Sequence, residues 1–115
     1  MKDRSPCHKL SRKIVGDHVP LDNLGLELSP TCFYLLPYHH LEVARFESNQ
    51  ERDTLVLSFL KHRVRIAGRN LRELGVAFQG RTVEWIKPLP ERYNAVAGED
   101  PLVESIDVDE TSEQH

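Results

Sequence analysis

The residues best suited to chemistry form a basic stretch in the second half of the chain. Three cations alternate along a strand-like segment, and two more follow where a helix is predicted to begin. Side chains two residues apart on a strand lie about 6.6–6.8 Å apart on one face, and a helix N-terminus adds amides that favour anions. The stretch is therefore a candidate site for the phosphates of a nucleic acid or nucleotide. Its residues are Lys61, Arg63, Arg65, Arg69 and Arg72.

The alternative interpretation of this stretch is a solvated face of an edge strand, where charge discourages aggregation. Proteins that read single-stranded nucleic acids stack bases on aromatic side chains. Phe59 and Trp85 have the strand parity of core residues, so they are not predicted on the basic face. We therefore rank the solvated face above binding.

Histidine and cysteine supply donor atoms for a metal, but no C-x-x-C or H-x-x-x-H spacing assembles them. His39 and His40 are adjacent, so on a strand they would point to opposite faces. His62 has the inward parity of Leu60 and Val64, which favours a core histidine. The sequence therefore predicts no metal and no cofactor.

A catalytic interpretation needs a nucleophile beside a base, or paired carboxylates in a cleft. Ser58 lies in a predicted strand and could face His62 or His40 across a sheet, but small β domains commonly contain such pairs. The sequence has no nucleophile elbow, no H-E-x-x-H and no glycine-rich phosphate loop. Gly68 and Gly80 are interpreted as turn and helix-cap residues. We predict that the protein is not an enzyme.

Length and composition limit the remaining classes. The chain has 115 residues, of which 39% are hydrophobic, and this is enough for one domain. No apolar run approaches the length of about 18 residues that a membrane span needs, which argues against a membrane protein. The two cysteines are fewer than small secreted scaffolds usually carry. We therefore expect a reduced, cytoplasmic protein with Cys32 as a small core residue.

The charges divide the chain into three parts. Residues 99–115 contain seven acids and no Lys or Arg, whereas residues 1–98 have 15 basic and 11 acidic groups. A segment with low hydrophobicity and like charges rarely buries enough apolar surface to fold. The prediction is a flexible polar leader at 1–19, one domain at 20–98 and an acidic, disordered tail at 99–115. This tail is also a candidate to lie across the basic stretch and compete with anionic ligands, or to add as a strand to a partner's sheet.

The folded part is predicted to be β-rich. Alternating apolar residues indicate strands at 24–28, 54–60, 62–67 and 81–87, and short links favour antiparallel pairing. A capping box at Asn70 and Glu73 predicts an amphipathic helix over about 70–79, with Gly80 ending it. A short C-terminal helix is predicted near 89–98. The expected fold is an α+β, β-rich domain with a small antiparallel sheet curled into a roll or barrel.

Residues 54–60 are apolar on both faces, with Val56 and Leu60 opposite the main set. One short helix covers only one side of a sheet. The other side must be closed by curvature, a second sheet or another subunit. We therefore predict a non-enzymatic interaction domain that acts through protein contacts and self-associates. Nucleic-acid or phosphate binding, masked by the acidic tail, is the alternative.

Overall fold

The computed structural model describes residues 8–10, 13–14, 17–18, 20–89 and 101–111. These residues form ten strands, one α-helix and a short 3₁₀ turn at Tyr38–His40. The helix is α1 (Arg72–Gln79). The strands are β1 (His8–Leu10), β2 (Lys13–Ile14), β3 (Asp17–His18), β4 (Asn23–Ser29), β5 (Cys32–Pro37), β6 (Leu41–Ser48), β7 (Asp53–Phe59), β8 (His62–Arg69), β9 (Val83–Ile86) and β10 (Leu102–Glu110).

The strands pair into two four-stranded sheets and one small hairpin. The first sheet has the order β1-β9-β4-β5, the second has the order β10-β8-β7-β6, and β2 pairs with β3. Every pair is antiparallel except β4 with β9, which is parallel. The prediction of an antiparallel sheet is wrong for that pair. A parallel pair needs a long connection, which the segment from β5 to α1 provides between β4 and β9.

The two sheets and the helix share one hydrophobic core. It is made of apolar side chains from β4, β5, β7, β8, β9 and β10 together with three from the helix region. The prediction of a β-rich chain with one helix is confirmed. The sheets do not close into a barrel in the described part of the chain, so the second sheet is the layer that closes the core. The fully buried residues are Leu24, Leu26, Leu55, Leu57, Val64, Ile66, Leu71, Phe78, Val83, Ile86, Leu102 and Val103.

Helix α1 lies close to its predicted position but begins differently. Asn70 adopts a left-handed backbone conformation with φ 57°, and Leu71 takes the N-cap position. The amide of Leu71 donates a hydrogen bond to Oδ2 of Asp53 at 3.0 Å. A carboxylate from β7 therefore serves the helix start, where the sequence predicts a capping box of Asn70 and Glu73.

The helix packs Leu74 and Phe78 against the core, in agreement with the predicted apolar face. It ends at Gly80, but Gly80 has φ −90° and Arg81 has φ 58°. Gly80 therefore takes the predicted cap position, and the left-handed residue is Arg81, which follows it.

The acidic tail is the largest departure from the predicted organisation. β10 pairs antiparallel with β8 along its length, from Leu102 opposite Arg69 to Glu110 opposite His62. Its apolar residues enter the common core, and this burial offsets the ordering entropy that the charges alone would not offset. The prediction of a disordered segment is therefore wrong for residues 102–110, and the domain extends past its predicted end at 98.

Gly68 permits this pairing. It lies inside β8 opposite Val103, where a Cβ atom would overlap the backbone carbonyl of Leu102. The prediction that Gly68 is a turn residue is wrong, because its role is to allow close approach of β10.

The leader also contributes to the fold where it is described. β1 pairs antiparallel with β9 as an edge of the first sheet, so the prediction of a flexible leader is wrong for residues 8–10. The predicted helix near 89–98 lies outside the described residues except for Leu89. The amide of Leu89 donates a hydrogen bond to the carbonyl oxygen of Val103 at 2.9 Å. None of the described helices has the length and apolar character needed to cross a membrane.

The sequence predicts that apolar side chains on both faces of residues 54–60 need cover. On the second face the structure buries Val56 and leaves Leu60 exposed. Val56 is 8% exposed, and in the register it lies between Arg45 of β6 and Arg65 of β8. Its cross-strand neighbours on that face are therefore the side chains of two arginines. Leu60 is 50% exposed and follows the strand, where its amide donates to the carbonyl oxygen of His40. A second copy of the chain is not needed to cover this strand.

Candidate functional site

The basic strand β8 lies beside the acidic strand β10. Arg63 is opposite Asp109, and Arg65 is opposite Asp107. All four side chains are exposed, and residues directly opposite each other on antiparallel strands share one face. Such opposite-charge pairs contribute roughly 0.2–1 kcal/mol each. Two of the predicted site residues therefore share a face, and each has a carboxylate as its neighbour.

A third predicted residue is ion-paired at the end of the sheet. The carboxylate of Glu104 lies 3.6 Å from Nε of Arg69 and 3.2 Å from Nη2 of Arg52. Glu104 is largely buried, whereas both guanidinium groups are about half exposed. The carboxylate thus joins β10 to β8 and to the turn before β7.

The other two predicted cations lie elsewhere. Lys61 is in the turn between β7 and β8, where its carbonyl oxygen accepts a hydrogen bond from the amide of Thr111. The guanidinium carbon of Arg72 lies 5.7 Å from the ring centroid of Phe46. Phe46 is opposite Leu55, so it belongs to the face that α1 covers. The five predicted cations are therefore spread over both faces and the ends of the sheet.

The histidines do not assemble a metal site in the described part of the chain. His39 and His40 lie in the 3₁₀ turn with ring centroids 4.5 Å apart, so they do not point to opposite faces of a strand. His62 is half-buried and meets Tyr34 edge-on at 5.8 Å. Among the described residues, no three His, Cys, Asp or Glu side chains are grouped so that they could hold a metal ion.

The serine considered as a nucleophile has no histidine opposite it. Ser58 pairs in register with Val43 of β6 and Arg63 of β8. The cross-strand pairing of Ser58 with His62 or His40 is therefore not formed.

Among the described residues, Tyr38 is the titratable group whose pKa departs most from its usual value. Its hydroxyl donates to the carbonyl oxygen of Val83 at 2.6 Å. Burial raises the pKa of Tyr38 well above its usual range, although the charge of Arg81 acts in the opposite direction. The phenol stays protonated at neutral pH and ties the end of β5 to β9, which is a structural role.

An apolar surface that the sequence does not predict lies at the edge of the first sheet. Phe33 and Leu35 on β5 are 60% and 59% exposed. The ring of Phe33 lies 5.7 Å from that of Trp85 on β9. The indole crosses β4 at Gly25, where a Cβ atom would overlap it. We call Phe33, Leu35 and Trp85 the aromatic edge surface.

The sequence misassigns these residues because the run Cys32–Pro37 is apolar without interruption. Such a run is typical of a strand buried on both faces. In the structure only Leu36 of this strand is buried, and Cys32 is exposed with a free thiol. The predictions that Cys32 and Trp85 are core residues are wrong. The exposure of side chains alternates along β5. The sequence carries no mark of this alternation, because it depends on which layers cover the strand.

Comparisons of the chain with protein-family models, curated proteins and solved structures gave no match.

Proposed function

We propose that the protein is a non-enzymatic interaction domain of the cytoplasm that acts through protein contacts and self-associates along β5. The observation that supports it is an edge strand without charge. Natural proteins protect edge strands with charged side chains, proline, bulges or very short length. β5 has six residues, none of them charged, and its single proline is the last residue.

The alternation along β5 fits pairing with a second copy. An antiparallel register with Tyr34 opposite its own copy places Phe33 opposite Leu35 on the outer face. Each of these side chains is about three-fifths exposed, so its burial contributes roughly 1–2 kcal/mol. Four such side chains in a dimer contribute about 4–8 kcal/mol, against an association cost of at least about 4 kcal/mol. We expect a weak dimer whose population depends on concentration.

Sedimentation velocity of the full chain in reducing buffer tests this proposal. The double substitution of Phe33→Lys and Leu35→Lys adds charge to an exposed edge and is expected to give a monomer. Val76→Lys is the matched control, because Val76 is 64% exposed on α1, away from β5. The control is expected to dimerise like the wild-type chain. A wild-type protein that stays monomeric up to about 1 mM, where a dimer with a net association free energy of about 4 kcal/mol would be populated, contradicts self-association.

Binding of nucleic acid or phosphate receives less support. The guanidinium groups of Arg63, Arg65 and Arg69 each have a carboxylate of β10 opposite or within ion-pair distance. A nucleic acid binds tightly when cationic side chains neutralise its phosphates and so release the counterions that surround them. Here the neighbouring acids would repel the same phosphates.

A further inference from the structure

A groove separates α1 from β6 on the side of the second sheet that faces the helix. Its volume is about 580 Å³, and Phe46, Leu55 and Phe78 contribute to its apolar lining. Val43 and Val76 also line it and are 55% and 64% exposed. The groove is therefore open to solvent, and its volume lies within the range of about 300–1,000 Å³ typical of ligand sites.

One wall of this groove is the edge strand of a sheet. β6 is the last strand in the order β10-β8-β7-β6, so the described residues leave one side of its backbone unpaired. A strand edge next to a helix groove suits an extended peptide, because backbone hydrogen bonds supply affinity and the groove accepts alternate side chains.

The length of the groove also fits an extended segment. Arg72 lies over Phe46 at one end, and Arg81 lies near Tyr38 at the other. Helix α1 runs between these two ends from Arg72 to Gln79, which is a rise of about 10.5 Å. Four residues of an extended strand span about the same distance.

The charges of the groove distinguish its two ends. Arg72, Arg81 and Glu42 all line it, and neither arginine has a carboxylate within 4.0 Å among the described residues. Glu42 follows Leu41 in β6, so it lies toward the Arg81 end and offsets that positive charge. At the Arg72 end the guanidinium lies beside the ring of Phe46, and among the described residues no carboxylate lines the groove there.

We propose that this groove binds an extended segment of a partner protein, which adds to β6 as an antiparallel strand. The segment has apolar side chains at alternate positions, and an acidic residue on its N-terminal side pairs with Arg72. An antiparallel strand places its N-terminal side beside Phe46, because β6 runs from Leu41 toward Ser48. The proposal rests on the proposed function only in that both act through protein contacts, since the groove is separate from the aromatic edge surface.

The test uses fluorescein-labelled peptides and fluorescence polarisation with the full chain. The probe is GETVTVG, and GKTVTVG is the matched peptide with the charge reversed. Arg72→Gln is expected to weaken binding of GETVTVG about three- to fivefold, the effect of one partly exposed ion pair. Arg63→Gln is the control protein, because it removes an exposed guanidinium from the opposite face of the same sheet. Val76→Glu, at the exposed rim, is expected to weaken GETVTVG but not GKTVTVG.

Amide chemical shifts identify the surface that the peptide uses. Shifts confined to β6 and α1 are the expected result. The groove proposal is overturned if Arg72→Gln and Val76→Glu leave peptide binding unchanged. It is also overturned if the shifts lie on β5, because the peptide then binds the aromatic edge surface; that result is compatible with the proposed function. Absence of saturable binding up to about 1 mM, or saturable binding of dodecanoate without binding of the peptide, also overturns the groove proposal. Sedimentation of the wild-type chain then remains an independent test of self-association.

Discussion

Removal of the last strand is expected to unfold the domain. A chain that ends at Asp100 lacks β10 and therefore loses the buried side chains of Leu102, Val103 and Ile106, each at most 8% exposed. Burial of one such side chain contributes about 1.5–3 kcal/mol, so the three together contribute about 4.5–9 kcal/mol. The free energy of unfolding of a typical domain is only about 5–15 kcal/mol. The truncated chain is therefore expected to have no stable folded state.

Urea denaturation followed by circular dichroism measures this effect. A chain that ends at Thr111 keeps all of β10 and controls for the loss of the terminal residues. A second control replaces Asp107 and Asp109 by asparagine, which removes the charge and leaves the strand. Each substitution is expected to cost no more than about 1 kcal/mol, because exposed cross-strand charge pairs are weak. The assignment of β10 to the core would be refuted if the chain ending at Asp100 unfolds cooperatively and its free energy of unfolding is less than about 1 kcal/mol below that of the full chain.

Two further predictions concern single residues. The pKa of Tyr38 is raised in the folded state, so its contribution to stability is complete below the unfolded pKa of about 10 and declines as pH rises above it. The free energy of unfolding is expected to fall by up to about 1.4 kcal/mol per pH unit there. In Tyr38→Phe the dependence of the free energy of unfolding on pH above about 10 is expected to be weaker. The carbonyl of Val83 loses its hydrogen bond to the phenol, which lowers the free energy of unfolding by about 1–3 kcal/mol at neutral pH. Denaturant titrations that show the same alkaline pH dependence for both proteins would contradict the prediction. Gly68→Ala is expected to destabilise the domain by more than about 2 kcal/mol, since the backbone at Leu102 must move to make room for the Cβ atom. Gly80→Ala is expected to be tolerated, because its Cβ would meet no atom closer than 3.4 Å. Equal thermal unfolding midpoints for the two alanine variants would show that β10 does not approach β8 as described.

The helix could be predicted from the sequence because its signals are local. Leu71, Leu74 and Phe78 repeat at helical spacing over a few residues, and all three are buried. The start of the helix could not be predicted in detail. Its amide partner is Asp53, eighteen residues earlier in the chain, and such a contact depends on how β7 lies beside the helix.

The tail could not be predicted because its partner lies far from it in sequence. Its alternation of Ile106 and Val108 with acids is typical of a half-buried strand, but the same acids indicate disorder when the segment is considered alone. Burial of its apolar side chains in the common core reverses that conclusion, and the basic side chains of β8 place opposite charges beside Asp107 and Asp109. The acidic tail and the basic stretch are therefore two halves of one sheet.

The four sheet edges differ in how well they resist pairing with another chain. β1 has three residues, which is too short to form a long ladder. β10 carries acids along its exposed face, so a second β10 would place like charges opposite each other. β6 carries charges of both signs and a register irregularity between Leu41 and Val43. β5 alone among these described edges has no such protection, which is why we place self-association there and a charge-selective peptide contact at β6.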